Sequence, residues 1–335
     1  MNQGVLSAIG HTPLIKLDRV LDDCEFNLYA KLEGFNPGGS IKDRTAYSII
    51  QHALDEGDIG PGTTIVESSS GNMGIGLAQI CAYHGLRFIC VVDPKTTKLN
   101  IEILKAFGAE VDQVTVPDRA TGEYLPARIA RVQYLRQTIP DSFWPDQYHN
   151  IYNARAHHET MREMVEELDG RIDYFFCATS TCGTLRGCSE YVRANHLPTK
   201  IFAVDAVGSV IFGDQKRPRL IPGHGAAVRP ELFQPWLADE CIHVSDRQCI
   251  VGCRRLVKKE ALLCGGSSGA VLMAVDMVKH RLPRHANCVA VFPDRGERYL
   301  DTIYSREWVR EHFGVVDESD ELQSTEELLA AANRS

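Results

Sequence analysis

Apolar and polar positions along this chain follow two rhythms, short apolar runs and longer stretches of helical spacing, and the two take turns. Leu28 to Leu32 reads as a strand. The next stretch predicts a helix from near Ser40, with Asp43 completing a capping box and Ala46, Ile50 and Leu54 facing inward, stopped by Gly57 and Pro61. Thr64 to Glu67 predicts a second strand, Met73 to Tyr83 a helix closed by Gly85, and Phe88 to Val92 a third strand. A helix over Leu99 to Phe107, a strand over Val111 to Val116 and a longer helix over Tyr124 to Thr138 follow. Tyr174 to Cys177, Ile201 to Val204 and Cys288 to Phe292 are apolar enough for strands buried on both faces, and a helix beginning near Gly183 separates the first two. Strands without a polar face, each alternating with a helix, predict an α/β fold with mainly parallel sheets covered by helices.

A chain of 335 residues exceeds one ordinary core, so two lobes are expected. Val207 to Pro235 is rich in Gly, Pro and Arg and lacks a period, and so long a loop in a compact protein usually carries function. Residues 316–335 form an acidic, weakly apolar tail, expected as an appended helix or a mobile segment. With 44% hydrophobic and 24% charged residues the composition is that of a globular protein. No apolar run nears the roughly 18 residues of a membrane span, and no basic-then-apolar start marks an export signal, so a cytoplasmic location is expected. A net charge of −8 argues against a nucleic-acid partner. The eleven cysteines are odd in number and sit mostly in apolar contexts, as reduced core residues do. Cys249 and Cys253 share a helical face, but no second pair stands at zinc spacing, so no metal site is expected.

Five segments carry candidate chemistry. Asn36-Pro-Gly-Gly-Ser-Ile-Lys42 delivers a lysine into the first turn of a helix, where desolvation disfavours the charged amine and frees it for imine chemistry. Glu67-Ser-Ser-Ser-Gly-Asn72-Met-Gly74 follows a strand and opens a helix, offering hydroxyls, an amide and free N–H groups to a carboxylate. Its glycines, 71, 74 and 76, do not have dinucleotide-binding spacing. Ser180-Thr181-Cys182-Gly183-Thr184 offers backbone amides and hydroxyls to a phosphate at another strand-to-helix turn. Cys264-Gly-Gly-Ser267 can bring a hydroxyl beside a ring, and Pro293-Asp-Arg-Gly-Glu-Arg-Tyr299 follows the last strand.

In this order the five segments resemble the fold-type II pyridoxal-phosphate family of cysteine synthases and cystathionine β-synthases, from Gly10-His-Thr-Pro-Leu14 to about Tyr304. The resemblance implies pyridoxal 5′-phosphate held as an imine on Lys42, Asn72 on the cofactor's ring hydroxyl, a phosphate cup at Ser180, Thr181, Cys182, Gly183 and Thr184, and Ser267 facing the pyridine nitrogen. It also implies a substrate-carboxylate site at Ser69, Ser70, Asn72, Met73 and Gln147. It further implies a larger lobe of residues 1–37 and 151–315, a smaller mobile lobe of 38–150, and a homodimer. One departure stands out: the family's Gly-Thr-Gly-Gly-Thr cup reads Ser-Thr-Cys-Gly-Thr here, which alters how the phosphate is held.

Within the family, Val91-Val-Asp-Pro94, Tyr124-Leu-Pro-Ala-Arg128, Asp205-Ala-Val-Gly-Ser-Val and Pro293-Asp-Arg-Gly-Glu-Arg are similar to the branch that joins O-phospho-L-serine to L-glutamate. That branch leads toward 2,3-diaminopropionate for siderophores and antibiotics. Glutamate brings two carboxylates that need cationic or hydrogen-bonding partners, whereas sulfide needs none. Arg128, Tyr148 and Ser180 are the candidates for glutamate, Arg295 a further one, and Arg219 or its neighbour Arg217 for the donor's phosphate. The alternative is a cysteine synthase using O-phosphoserine or O-acetylserine with sulfide. His157 and His158 are expected at a helix start, His11 in a turn and His224 in the loop over the site, none with a catalytic role.

Overall fold

A computed structural model of the chain describes residues 4–22 and 24–314, so the acidic tail lies outside the described residues. Strands β1 (Leu14–Leu17) and β2 (Asn27–Leu32) lead to helix α1 (Lys42–Asp55). Then come β3 (Thr64–Ser68), α2 (Asn72–His84), β4 (Arg87–Val92), α3 (Lys98–Ala106), β5 (Glu110–Gln113), α4 (Tyr124–Thr138) and β6 (Ser142–Phe143). The second half runs α5 (Ile151–Glu167), β7 (Tyr174–Ala178), α6 (Gly183–Ala194), β8 (Lys200–Ala206), β9 (Glu240–Val244), α7 (Asp246–Glu260), α8 (Gly266–Val278), β10 (Asn287–Phe292) and α9 (Arg306–Phe313).

The strands form two sheets, one of order β1-β2-β10-β7-β8-β9 and one of order β5-β4-β3-β6. Every pairing is parallel except β1 with β2. All five residues of β3 are buried, as expected of a parallel strand covered on both faces. Helix α8 carries apolar residues nearly all round and is buried along almost its whole length, whereas α1 buries one face through Ala46, Ile49, Ile50 and Ala53. Strand β5 ends at Gln113 rather than Val116: its partner β4 stops at Val92, and after one further bond from Val114 to Val92 the ladder has nothing left to pair with. Between Ala206 and Pro235 there is neither helix nor strand, as the loop composition predicted.

The chemistry-bearing segments gather where parallel strands end. The turn before Lys42 follows β2, the serine loop follows β3, the Ser180 turn follows β7 and the Pro293 segment follows β10. Carboxyl ends of parallel strands are where open α/β sheets bind ligands. Helices α5 and α6 meet almost backbone to backbone: a Cβ on Gly187 would stand 2.0 Å from the Ala154 carbonyl oxygen, and one on Gly183 would stand 2.0 Å from Asn153 Oδ1. Only glycine allows that approach.

Candidate active site

The turn that precedes Lys42 is tied down at several points. Gly39 is left-handed, with φ of 84°. Ile41 donates its N–H to the Pro293 carbonyl at 2.8 Å, anchoring the turn to the end of β10. The expected capping box is absent: the Asp43 carboxylate turns back to accept from the Gly38 N–H, and the Ser40 hydroxyl accepts from Lys42 N–H at 3.2 Å. A buried turn amide competes for that carboxylate, and burial pushes Asp43 up to about 7. Lys42 itself is half-buried, and burial lowers its amine to about 8, against a weaker opposing influence from Cys177 and Cys182.

Two residues further on, Arg44 anchors the helix. It donates to both oxygens of Glu33, at 2.7 and 2.9 Å, and to both of Glu163, at 2.7 and 2.8 Å. Lys31, fully buried, pairs with Glu163 at 2.8 Å. Asn36 donates to Glu33 and accepts from Gly10 N–H, so the ion cluster also holds the turn that delivers Lys42.

Facing this lysine is the head of α6. Cys182 stands before its first residue in the left-handed region, φ 65°, where the family has glycine, and its buried thiol packs among apolar residues rather than capping the helix. The first-turn amides of α6 thus receive no side-chain cap. Ser180 and Thr184 are half-buried and Thr181 is buried. Thr181 accepts from Asn153 Nδ2 at 3.1 Å, and Thr184 Oγ1 lies 3.2 Å from His157 Nε2. His157 is not at a helix start but midway along α5, fully buried, and also 3.2 Å from Thr45 on the lysine's helix. Burial holds it well below the usual histidine range, so the imidazole is neutral. Asn153, His157 and Thr160 recur at helical spacing among Ala154, Met161 and Met164, and that polar stripe is the sequence signal for this support.

The serine loop makes the opposite wall. Ser69 Oγ accepts from Gly74 N–H at 2.9 Å and Gly71 N–H at 3.3 Å, so it braces the loop. The Ser70 carbonyl accepts from Asn100 at 3.0 Å. The Met73 side chain lies in the apolar core, leaving only its backbone to a ligand. Gln147 is buried, and its N–H points to Glu67 at 3.4 Å. Glu67, which opens that segment without an expected role of its own, accepts from Trp144 at 3.0 Å and Ser68 N–H at 2.8 Å, and burial pushes it up to about 7. Asn72 Nδ2 donates to Asp294 Oδ2 at 2.7 Å. Asp294 in turn lies against Gly265, two residues before the buried Ser267 in the first turn of α8.

A cationic corner adjoins this wall. Arg128 is buried; its Nε lies 3.3 Å from Asp93 Oδ2 without hydrogen-bond geometry, and Nε and Nη1 have no hydrogen-bond partner among the described residues. Arg128, Glu67 and Arg219 all act electrostatically on the Tyr148 hydroxyl, which burial pushes above its usual value. Arg219 is half-buried, donates to the His224 carbonyl at 2.8 Å and keeps Nε without a partner, whereas Arg217 is exposed. Arg295 is exposed, and its Nε donates to the Gly34 carbonyl at 2.7 Å. His224 is buried and neutral, held down to about 3 by burial.

An uncapped helix head opposite a lysine of lowered pKa is a fit for an aldehyde bearing a phosphate. Residues 5–294 match the family model for pyridoxal-phosphate-dependent enzymes, and the chain belongs to that family, in its fold-type II, cysteine-synthase-like branch. Over 308 residues it is 44% identical to the N-(2-amino-2-carboxyethyl)-L-glutamate synthase of Ralstonia nicotianae, spanning 92% of this chain and 91% of the relative. The fold is also that of the O-acetylserine-dependent cystathionine β-synthase of Helicobacter pylori, with a TM-score of 0.84, 32% identity and coverage of 91% and 99% of the two chains. A cysteine synthase of Entamoeba histolytica matches with a TM-score of 0.86 and 31% identity, over 98% and 96%. The protein is an enzyme of β-replacement that depends on pyridoxal 5′-phosphate. No helix among the described residues is long and apolar enough to cross a membrane.

Proposed function

We propose that this enzyme joins O-phospho-L-serine to L-glutamate, giving N-(2-amino-2-carboxyethyl)-L-glutamate and phosphate, a step toward L-2,3-diaminopropionate in siderophore or antibiotic biosynthesis. The observation that carries this reading is the buried Arg128 guanidinium, paired with Asp93 yet with Nε and Nη1 lacking hydrogen-bond partners among the described residues, whose charge, like that of Arg219, acts on Tyr148. An acceptor bearing two carboxylates uses such a corner, and sulfide does not. The name of the Ralstonia relative supports the same choice.

In this reading Lys42 holds the cofactor, the α6 head with Ser180 to Thr184 takes its phosphate, and Asn72 and Ser267 flank its ring. The bound cofactor supplies an electron sink that allows the Cβ–O bond of the donor to break. Ser69, Ser70, Gln147 and the backbone of Met73 orient the donor's carboxylate. Lys42, once displaced, takes the α-proton, and its lowered pKa leaves a usable share of neutral amine near pH 7. Arg219 receives the departing phosphate, which leaves with the bonding pair. Arg128, Tyr148 and Ser180 hold glutamate while its amine forms the new C–N bond and sheds a proton, and Lys42 returns the α-proton. Ser267 presents a hydroxyl to the ring nitrogen where a carboxylate would enforce protonation.

Residues 38–150 act here as a smaller lobe that closes over the substrate on 1–37 and 151–315; the four-stranded sheet, lying wholly between Thr64 and Phe143, supports that division. The working unit is a homodimer, as the family resemblance implies, placed in the cytoplasm. The purified enzyme is to be given O-phosphoserine or O-acetylserine with either glutamate or sulfide, and the products identified by mass. The expected product is the glutamate adduct from O-phosphoserine; cysteine alone would overturn the reading.

A further inference from the structure

The Pro293 to Tyr299 segment is not accounted for by the steps above, yet it touches three parts of the site. Asp294 is buried at the end of β10. Its Oδ2 accepts from Asn72 Nδ2 at 2.7 Å and from the Tyr299 hydroxyl at 2.5 Å. Its backbone oxygen accepts from Gly265 N–H at 3.3 Å, and a Cβ on Gly265 would stand 2.0 Å from Asp294 Oδ1. Arg298 completes the arrangement, donating one guanidinium nitrogen to Asn72 Oδ1 and another to the Gly38 carbonyl.

A carboxamide has two ends that a site must tell apart. An ionised carboxylate only accepts and a guanidinium only donates. Asp294 and Arg298 therefore fix Asn72 in one orientation, with oxygen toward Arg298 and nitrogen toward Asp294. The nitrogen carries two hydrogens; Asp294 takes one, and the second, near the Tyr299 hydroxyl, is the one that an acceptor brought by the cofactor would compete for. Burial raises the Asp294 pKa, and the donors Tyr299 and Asn72 with the Arg298 charge offset part of that rise.

We propose that Asp294 and Arg298 are positioning residues that aim the second N–H of Asn72 at the ring oxygen of the cofactor, while Arg298 sets the lysine turn against the same amide. This rests on the reading of Asn72 as a cofactor contact, and the experiment separates the two. Cofactor dissociation constants and the absorbance spectrum of the bound cofactor are to be measured for the parent, Asn72→Ala, Asp294→Ala, Asp294→Asn and the double variant Asn72→Ala with Asp294→Ala.

Asn72→Ala and Asp294→Ala should each weaken cofactor binding by roughly 10-fold or more, the scale of a lost charge-assisted hydrogen bond, and each should shift the absorbance band. The double variant should be no weaker than Asn72→Ala alone, because Asp294 acts through that amide. Asp294→Asn keeps an oxygen for Asn72 and should bind within about 3-fold of the parent, which also guards against Asp294→Ala failing to fold. If Asn72→Ala binds the cofactor like the parent, the Asn72 reading falls and the proposal with it. If Asn72→Ala is weakened but the Asp294→Ala effect is absent, or adds in full in the double variant, the Asn72 reading stands and the positioning role is overturned. Asp294→Asn as weak as a folded Asp294→Ala would overturn it as well, by showing that charge rather than orientation matters.

Discussion

If Lys42 holds the cofactor, as proposed, the neutral fraction of its amine governs how fast the cofactor is captured, because only an uncharged amine attacks an aldehyde. Burial brings that amine to about 8. At pH 7.5 roughly a quarter of it is then neutral, against about a thousandth for a lysine at its ordinary value, a gain of about two orders of magnitude. Apoprotein mixed with pyridoxal phosphate in a stopped-flow instrument, followed by visible absorbance, should show a rate constant that climbs with pH and levels off just above about 8. The sign in stability follows from linkage. The folded pKa lies below the unfolded one, so the protonated lysine is a cost to the apoprotein below about pH 8, removed as the pH rises toward the unfolded value. That cost is at most about 3 kcal/mol. Compared with a Lys42→Met apoprotein, the parent should therefore gain stability over that interval. A capture rate still rising tenfold per pH unit at about pH 9.5, as an unperturbed lysine would give, would refute the reasoning. Borohydride reduction followed by peptide mapping should place the label on Lys42.

Further outcomes are expected at Arg44, Arg128 and Cys182. Arg44→Met leaves Glu33 and Glu163 buried with too few cations and should cost about 3–5 kcal/mol in urea unfolding. Burial pushes Glu163 up but Arg44 and Lys31 bring it down to about 2, so the parent loses stability as pH falls from the ordinary glutamate value toward 2, and the variant should show a shallower loss. Arg128→Met should raise the KM for glutamate by roughly 10- to 100-fold while the KM for O-phosphoserine moves far less, as steady-state kinetics will show. Cys182→Gly relieves a left-handed backbone and loses a buried thiol, so its unfolding free energy should stay within about 1 kcal/mol of the parent. Cys182→Val, β-branched at the same φ, should lose about 2 kcal/mol or more by the same measurement.

Periodicity located β2 to β5, β7, β8 and β10 and helices α1 to α4 and α6, because runs such as Phe88 to Val92 and Cys288 to Phe292 need no distant partner to be recognised; β1, β6, β9, α8 and α9 have no counterpart there, and α5 and α7 no stated bounds. Expectation and structure part where a contact made only in the folded chain decides the outcome. Asp43 has good capping spacing from Ser40, yet its carboxylate serves Gly38, a contact only the folded turn creates. Strand β5 stops where β4 stops, which β5's own residues do not record. Arg128 stands out through the resemblance of its segment to one branch of the family; its burial and unpartnered donors depend on how α4 packs over β3 and β4. Asp294 sits in a segment that the sequence singled out, but its link to Asn72 spans 222 positions and has no local signature. His157 read as an ordinary histidine because buried neutral imidazoles look the same in sequence as exposed ones.

Gly187 has a consequence for anyone who tries to retune this enzyme. With the Ala154 carbonyl 2.0 Å from where its Cβ would stand, any methyl there must drive two helices apart. The rim of amides at the head of α6 would retreat with its rod, and a phosphate pressed against it would lose several bonds together rather than one. Depth at that rim is thus fixed by a missing side chain three to seven residues downstream, in a place where a library of contact-residue variants would never look.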